Sequence, residues 1–310
     1  MGSDREVITA YDVALPEKQE QNLPGLDKKI APGLEYTRLE EWDEEGNPRL
    51  VEYQGTGKLK NKAIIVTGGD SGIGRAAAIA FAREGAAGIT ITYLPQEKAD
   101  AEDAKKDIEA SGAKVVLVKV DLINEEDCKR VVDEHVKAFG RIDVLVNNAS
   151  KQNLCADLAE IDLKEVHNTF QTNILQMITI TKYALPHMKR GTSIINTTSV
   201  TAYKGSSSLI DYSSTKGAIV TFTRSLSIQL APKGIRVNAV APGVVITALQ
   251  AGSRSEDDME ALGLGTPIIN RGAQPAEMAP TYVYLASARD SNFMTGAVLH
   301  INGGQHIGGS

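Results

Sequence analysis

From Leu59 onward the chain alternates short, mostly apolar runs with longer stretches whose apolar positions recur every three or four residues. The short runs cover 63–66, 88–93, 114–120, 144–146, 193–196, 236–240 and 298–301, and each predicts a buried strand. The longer stretches cover 74–84, 98–111, 125–139, 163–189, 211–230 and 276–286, and predict helices. Strands that are apolar throughout, rather than on alternate residues, belong to a parallel sheet covered on both faces. The expectation is one doubly wound α/β domain over residues 59–310, with a seven-stranded parallel sheet. No internal repeat or low-complexity tract interrupts it.

Residues 1–58 read differently. They lack sustained periodicity and carry Pro16, Pro24, Pro32 and Pro48, with an acidic run from Glu40 to Glu45. This predicts an extension rather than a domain. Leu23, Leu26, Ile30, Leu34, Tyr36, Leu39, Trp42 and Tyr53 could each anchor it to another surface. Charge sharpens the division. The chain holds 33 Lys and Arg against 39 Asp and Glu, and residues 1–58 contain 13 of the acids but only 7 of the bases. The extension thus carries the whole excess of −6, and the remainder is neutral.

A neutral body without a Lys/Arg cluster offers no stripe to neutralise phosphates, so nucleic acid is not an expected partner. No stretch approaches the ~18 apolar residues of a membrane span. The N-terminus lacks the basic and apolar regions of a secretory signal, and Glu6 stands where myristoylation needs Ser or Thr. The closing Gly-Gly-Ser is not a peroxisomal address. Two cysteines, Cys128 and Cys155, cannot build a disulfide framework, and a cytoplasmic location is expected. The five histidines show no metal-ligand spacing, so no metal is expected.

The first strand of the body runs into Thr67-Gly68-Gly69-Asp70-Ser71-Gly72-Ile73-Gly74, followed by a helix. Glycines at 68, 72 and 74 permit a tight turn and a close approach of backbone N–H groups to a pyrophosphate, aided by the helix dipole. The Gly-x-x-x-Gly-x-Gly spacing resembles that of the short-chain dehydrogenase/reductase family, whose fold is of the Rossmann type. Further motifs arrive in that family's order over about residues 59–307. Asp121-Leu122 follows the third strand, where the family holds the adenine ring. Asn147-Asn148-Ala149-Ser150 follows the fourth, with Ser150 where the family usually has Gly. Asn173 lies in the long helix, Ser199 ends the fifth strand, and Tyr212-x-x-x-Lys216 follows. Pro242-Gly243, Val245 and Thr247 match the family's segment that touches the nicotinamide and the phosphates.

The resemblance implies an alcohol–carbonyl oxidoreductase. Tyr212 and Lys216, four apart on one helix, share a face. A free tyrosine has a pKa of about 10, and a neighbouring ammonium would lower it, so that Tyr212 could act as general acid or base. Ser199 would hydrogen-bond the substrate oxygen, and Asn173 would hold a water. The family also has Lys216 grip the ribose. Taken singly these residues have bland readings: a strand-end hydroxyl, a structural helix asparagine, a helix-capping Asp121.

The second strand ends in Tyr93, where NAD-specific relatives carry an acid that repels a 2′-phosphate. The balance tips toward NADP(H) without excluding NAD(H). The segment after Pro242 predicts a mobile lid walled by Val245, Ile246, Leu249, Leu262, Leu264 and Ile268, with Arg254 and Arg271 as candidate anion clamps. A small polyol, sugar, aldehyde or ketone fits the resemblance to glucose-dehydrogenase-like and aldehyde-reductase-like members. A specialised biosynthetic reductase with a further steering role stays open, as does a non-redox cofactor-binding descendant, although both Tyr212 and Lys216 are kept. The resemblance also implies a homotetramer, or a dimer. The extension is expected to pack on the body or a neighbouring subunit through Leu23, Leu26, Leu34 and Trp42. Deleting residues 1–55 should then lower the melting temperature or change the assembly while leaving the Tyr212 chemistry in place; unchanged melting and assembly would make the extension a solvated tail.

Overall fold

A computed structural model describes residues 7–12 and 15–308. The terminal signals weighed above, at residues 1–6 and at 309–310, lie outside the described residues. After a hairpin of β1 (Arg38–Trp42) and β2 (Pro48–Glu52), seven strands form one parallel sheet. They are β3 (Ala63–Val66), β4 (Gly88–Tyr93), β5 (Lys114–Lys119), β6 (Ile142–Asn147), β7 (Met188–Thr197), β8 (Arg236–Pro242) and β9 (Val298–Ile301). Their order is β5-β4-β3-β6-β7-β8-β9, all neighbours parallel. The direction of winding reverses between β3 and β6, which opens a crevice at their carboxyl ends.

Alternate strand residues feed two cores. Ile64, Val66, Val144, Val146 and Ile195 pack on α1 (Gly72–Arg83), α2 (Lys98–Ala110) and, later in the chain, α10 (Pro275–Ala286). Ile65, Leu145 and Ile194 pack on α3 (Glu125–Phe139), α5 (Gln176–Ala184) and α7 (Ile210–Leu230). Between these lie α4 (Leu163–Phe170), α6 (Thr201–Lys204), α8 (Ala248–Ala251) and α9 (Glu256–Glu260). The Rossmann-type α/β fold and its seven strands are as the pattern predicted. Among the described residues no helix is long and apolar enough to cross a membrane.

Two differences have local causes. The helix predicted over 163–189 is broken: a π-helical turn spans Gln171–Leu175 and the α-helix stops at Ala184. Pro186 cannot donate a backbone hydrogen bond, and β7 begins at Met188, five residues earlier than the apolar run suggested. The hairpin in the extension was not predicted. Its acidic run hid the signal, a turn at Asp43–Asn47 in which Asp43 Oδ1 accepts the Asn47 amide at 2.7 Å. Glu41 and Arg49 pair across the strands at 3.1 Å.

The extension lies along the body. Ile30 and Leu34 pack with Ile246, Ala251, Met259 and Leu262. Tyr36 and Tyr53 pack against the α1 core, and Glu84 at the end of α1 accepts the Tyr53 hydroxyl and the amides of Thr56 and Lys58. Leu23 and Leu34 are engaged as expected, whereas Trp42 points outward, 50% exposed. Arg271 is fully buried, paired with Glu277 on α10 at 2.8 Å and with Glu40 of the hairpin at 3.2 Å, and stacked over Tyr11. It is therefore a structural cation and not a substrate clamp. Arg271→Ala strands two carboxylates away from water and should cost about 3–5 kcal/mol, read as a lower urea midpoint; a change within experimental error would show that the two acids are not held by this cation.

Candidate active site

The glycine loop joins β3 to α1 at the crevice. Thr92 on the neighbouring strand accepts the Gly68 amide at 3.0 Å, and Asn148 donates to the Gly68 carbonyl at 3.0 Å. Gly74 sits so close to that carbonyl that a Cβ would lie 2.0 Å from its oxygen. A cavity of about 610 Å³ opens here, within the range of small-molecule sites. Gly68, Asp70, Ser71, Gly72 and Ile73 line it from the loop, with Tyr93 at the end of β4, Asp121 and Leu122 after β5, Asn148, Ala149 and Ser150 after β6, and Thr247 after β8. A glycine loop with no room for side chains at Gly74, set in a cavity of this size, fits a dinucleotide.

The other expected cofactor residues stand behind the wall. Gly74 is packed in the loop. Pro242 accepts the Val200 amide at 2.9 Å, Gly243 donates to Ile301 at 2.9 Å, and Val245 is buried in the core. Of the expected lid walls, Val245, Ile246 and Leu262 are buried, Leu264 and Ile268 are exposed, and Leu249 lines the cavity. Lining residues that the sequence reading missed include Leu23 and Pro24 from the extension, Thr92 and Glu97. No pattern in the extension pointed to the first two; the polar Thr92 in an otherwise apolar strand end was a readable signal.

Asp70 and Glu97 make part of the cavity wall acidic. Burial, then the charges of Glu97, Asp27 and Asp100, push Asp70 well above the usual carboxylate range, and its buried Oδ2 has no partner among the described residues. Burial, with the Asp100 and Asp27 charges, pushes Glu97 up to about 7 against the pull of the Leu94 amide. Acids thus border the cavity even though Tyr93 stands where NAD-specific members of the family carry an acid.

Tyr212, Lys216, Ser199 and Asn173 are all buried, and none of them lines this cavity directly. Lys216 and Tyr212 project from successive turns of α7, with Nζ 5.2 Å from the Tyr212 ring centre. Nζ donates to the Thr197 carbonyl at the end of β7 at 3.1 Å. Ser199, two residues on, hydrogen-bonds Tyr212 and accepts from the Thr201 amide and hydroxyl at 3.1 Å each. Asn173 sits in the π-helical turn, a distortion often found at functional sites. It donates to the Lys151 carbonyl at 2.8 Å and the Thr215 hydroxyl at 3.0 Å, and Thr215 in turn donates to the Tyr212 carbonyl at 2.7 Å. Ser150 donates to Asn173 Oδ1 at 3.2 Å, joining this cluster to the cavity lining.

Burial dominates the electrostatics. It pushes the Tyr212 phenol up to about 12, against the Ser199 hydrogen bond and the charge of Arg254, and pulls Lys216 down to about 7. Arg254 in the lid, held by Gln250 Oε1 at 2.9 Å, is thus the cation that acts on Tyr212 in this arrangement. Three histidines pack structurally: His135 is buried between Thr90 and the Arg141 carbonyl, His306 stacks on Tyr203 and His300 meets the same ring edge-on. Burial first, then nearby acids, push the Cys128 thiol up to about 12.

A family model described as enoyl-(acyl carrier protein) reductase matches residues 68–306. The chain is 49% identical over 292 residues to the uncharacterized oxidoreductase YhdF of Bacillus subtilis, covering 94% of this chain and 95% of that one. The chain belongs to the short-chain dehydrogenase/reductase family. Another member, NADPH-dependent aldehyde reductase 1 of Arabidopsis thaliana chloroplasts, is 47% identical over 295 residues, 93% of this chain and 97% of its own. Among solved structures, a dehydrogenase/reductase from Sinorhizobium meliloti superposes with a TM-score of 0.75 at 30% identity, covering 81% of this chain and 98% of its own.

Within that family frame, the buried lysine has a thermodynamic signature. Between about 7 and the ordinary 10.5 the unfolded chain holds a proton that the folded Lys216 has lost. Stability from this group therefore rises with pH across that window. Lys216→Met should melt higher than wild type at pH 7, by roughly 2–4 °C for each kcal/mol relieved, and the gap should close as the pH rises through the window. A gap that does not depend on pH would mean that Lys216 is not held neutral by burial.

Proposed function

We propose that the protein is an NAD(P)(H)-dependent oxidoreductase that interconverts an alcohol and a carbonyl compound, with Tyr212 as the general acid and base. The observation that carries this reading is the grouping of Tyr212, Ser199 and Lys216, joined through Thr215, Asn173 and Ser150 to the wall of the glycine-loop cavity. When bound, the nicotinamide supplies or accepts the hydride. Ser199 is placed to donate to the substrate oxygen as charge develops on it, and Tyr212 to give that oxygen a proton or take one from it. The Ser199 hydrogen bond and the Arg254 charge oppose the rise that burial imposes on the phenol. Lys216 and the glycine loop would hold the dinucleotide, and Asn173 braces the Tyr212 turn through Thr215.

An NADPH-dependent reductase among the relatives supports the lean toward NADP(H); Asp70 and Glu97 beside the cavity keep NAD(H) in play. Substrates are small aldehydes, ketones, sugars or polyols, since Arg254 is the one lid arginine left to meet an anion once Arg271 is buried. The protein acts in the cytoplasm as a homotetramer or dimer. Exposed Leu175, Ile178 and Ile228, on the helices covering the β6–β8 side, support the assembly.

The test mixes the protein with NADPH or NADH and a panel of aldehydes, ketones and quinones, following loss of reduced-cofactor absorbance. Tyr212→Phe should lower kcat by about 10²–10⁴-fold with dinucleotide affinity retained. Equal turnover by the variant would sink the assigned mechanism, and failure of wild type to bind either dinucleotide would sink the whole reading.

A further inference from the structure

Part of the acidic extension borders the cavity itself. Leu23 and Pro24 stand in its wall beside Ala248 of the lid. Gly25 then crosses the lid so closely that a Cβ would lie 2.5 Å from the Ala248 carbonyl oxygen, in a backbone conformation, φ +83°, that favours glycine. Asp27 follows, only 4% exposed. Its Oδ2 accepts the Gly72 amide and the Tyr36 hydroxyl, and its Oδ1 accepts the Ala248 amide at 3.1 Å. Its own amide donates to Asp100 Oδ2 at 2.7 Å. Gly72 opens α1 at the phosphate loop, and Ala248 opens α8 in the lid, so one carboxylate joins the two lips of the cavity.

Mere attachment does not need this charge. Ile30 and Leu34 already fix the extension to the lid by apolar packing. A buried carboxylate with no cation bonded to it is costly unless its hydrogen bonds are met, and here two of the three donors belong to the site. The extension is also an addition to a fold that is complete without it. The Sinorhizobium structure is matched over 98% of its own length but only 81% of this chain, whereas the Bacillus relative covers 94% of this chain and so shares most of the extension.

We propose that Asp27 is a positioning residue of the dinucleotide site, holding the first turn of α1 and the lid at Ala248 in register while Leu23 and Pro24 close the side of the cavity. The inference rests on the dinucleotide reading of that cavity. It also changes what removal of the extension does: loss of residues 1–55 costs cofactor affinity as well as stability.

The test uses the full-length protein. NADPH and NADH are titrated by calorimetry into wild type, Asp27→Ala and Gly25→Ala, with melting temperature, cofactor KM and kcat measured on each. Gly25→Ala pushes the segment off the lid while leaving the carboxylate in place, so it tests the inference even if Asp27→Ala does not fold. Both variants should bind the preferred dinucleotide about 10-fold or more weakly, the loss expected for hydrogen bonds to a charged group, with cofactor KM rising by more than kcat falls. Wild-type affinity in variants that merely melt lower would overturn the proposal and leave Asp27 a structural anchor. Failure of wild type to bind either dinucleotide would instead overturn the functional reading, and this inference with it.

Discussion

A parallel sheet buried on both faces leaves its unpaired backbone groups at the strand ends, and the site is built from the ways those groups are satisfied. Thr67 donates its amide to Val146 and uses its hydroxyl to accept the amides of Asn148 and Ala149. Thr198 and Val200 donate to Val240 and Pro242 across the end of β8. The Thr197 carbonyl, at the last residue of β7, accepts a hydrogen bond from Lys216 Nζ. These bonds fix the glycine loop, the Ser199 turn and α7 relative to one another.

The same burial that orders the site makes it unfavourable electrostatically. Lys216 and Tyr212 are both pushed toward their neutral forms, and Asp70, with an unpartnered oxygen, is pushed toward its protonated form. A fold optimised for stability alone would place apolar side chains at these positions. Polar side chains so perturbed by burial carry a cost in stability, and such perturbation is commonest where a protein does chemistry.

Much of this was legible in the sequence because it depends on local pattern. β3, β4 and β9 run over the residues that the apolar runs predicted, the glycine loop and Asn148–Ser150 line the cavity, and the Tyr212–Lys216 pair shares one face of α7. What stayed hidden depends on partners distant in sequence. Arg271 looked like a candidate clamp until Glu40 and Glu277 closed around it. The π-helical turn at Asn173 has no sequence signature separate from the helix that contains it. The hairpin at 38–52 was masked because its strands, Arg38–Trp42 and Pro48–Glu52, lack a two-residue alternation and carry acids.

The acidic excess therefore divides into two kinds of charge. Glu41, Glu44 and Glu45 lie exposed on the hairpin or its turn and behave as a solvated edge, which discourages further strand pairing. Asp27 and Glu40 are spent inward, the first on backbone amides at the phosphate loop and lid, the second on Arg271. Each fixes a different part of the lid segment: Asp27 holds its beginning at Ala248, and Glu40 holds its end at Arg271. Between these ties the segment is held as well, since Met259 of α9 and Leu262 pack on Ile30 and Leu34 and Lys18 pairs with Asp257 at 2.9 Å. The extension thereby holds the segment after β8 at its beginning, middle and end, and makes the two outer ties with the charges that first marked it as separate from the body.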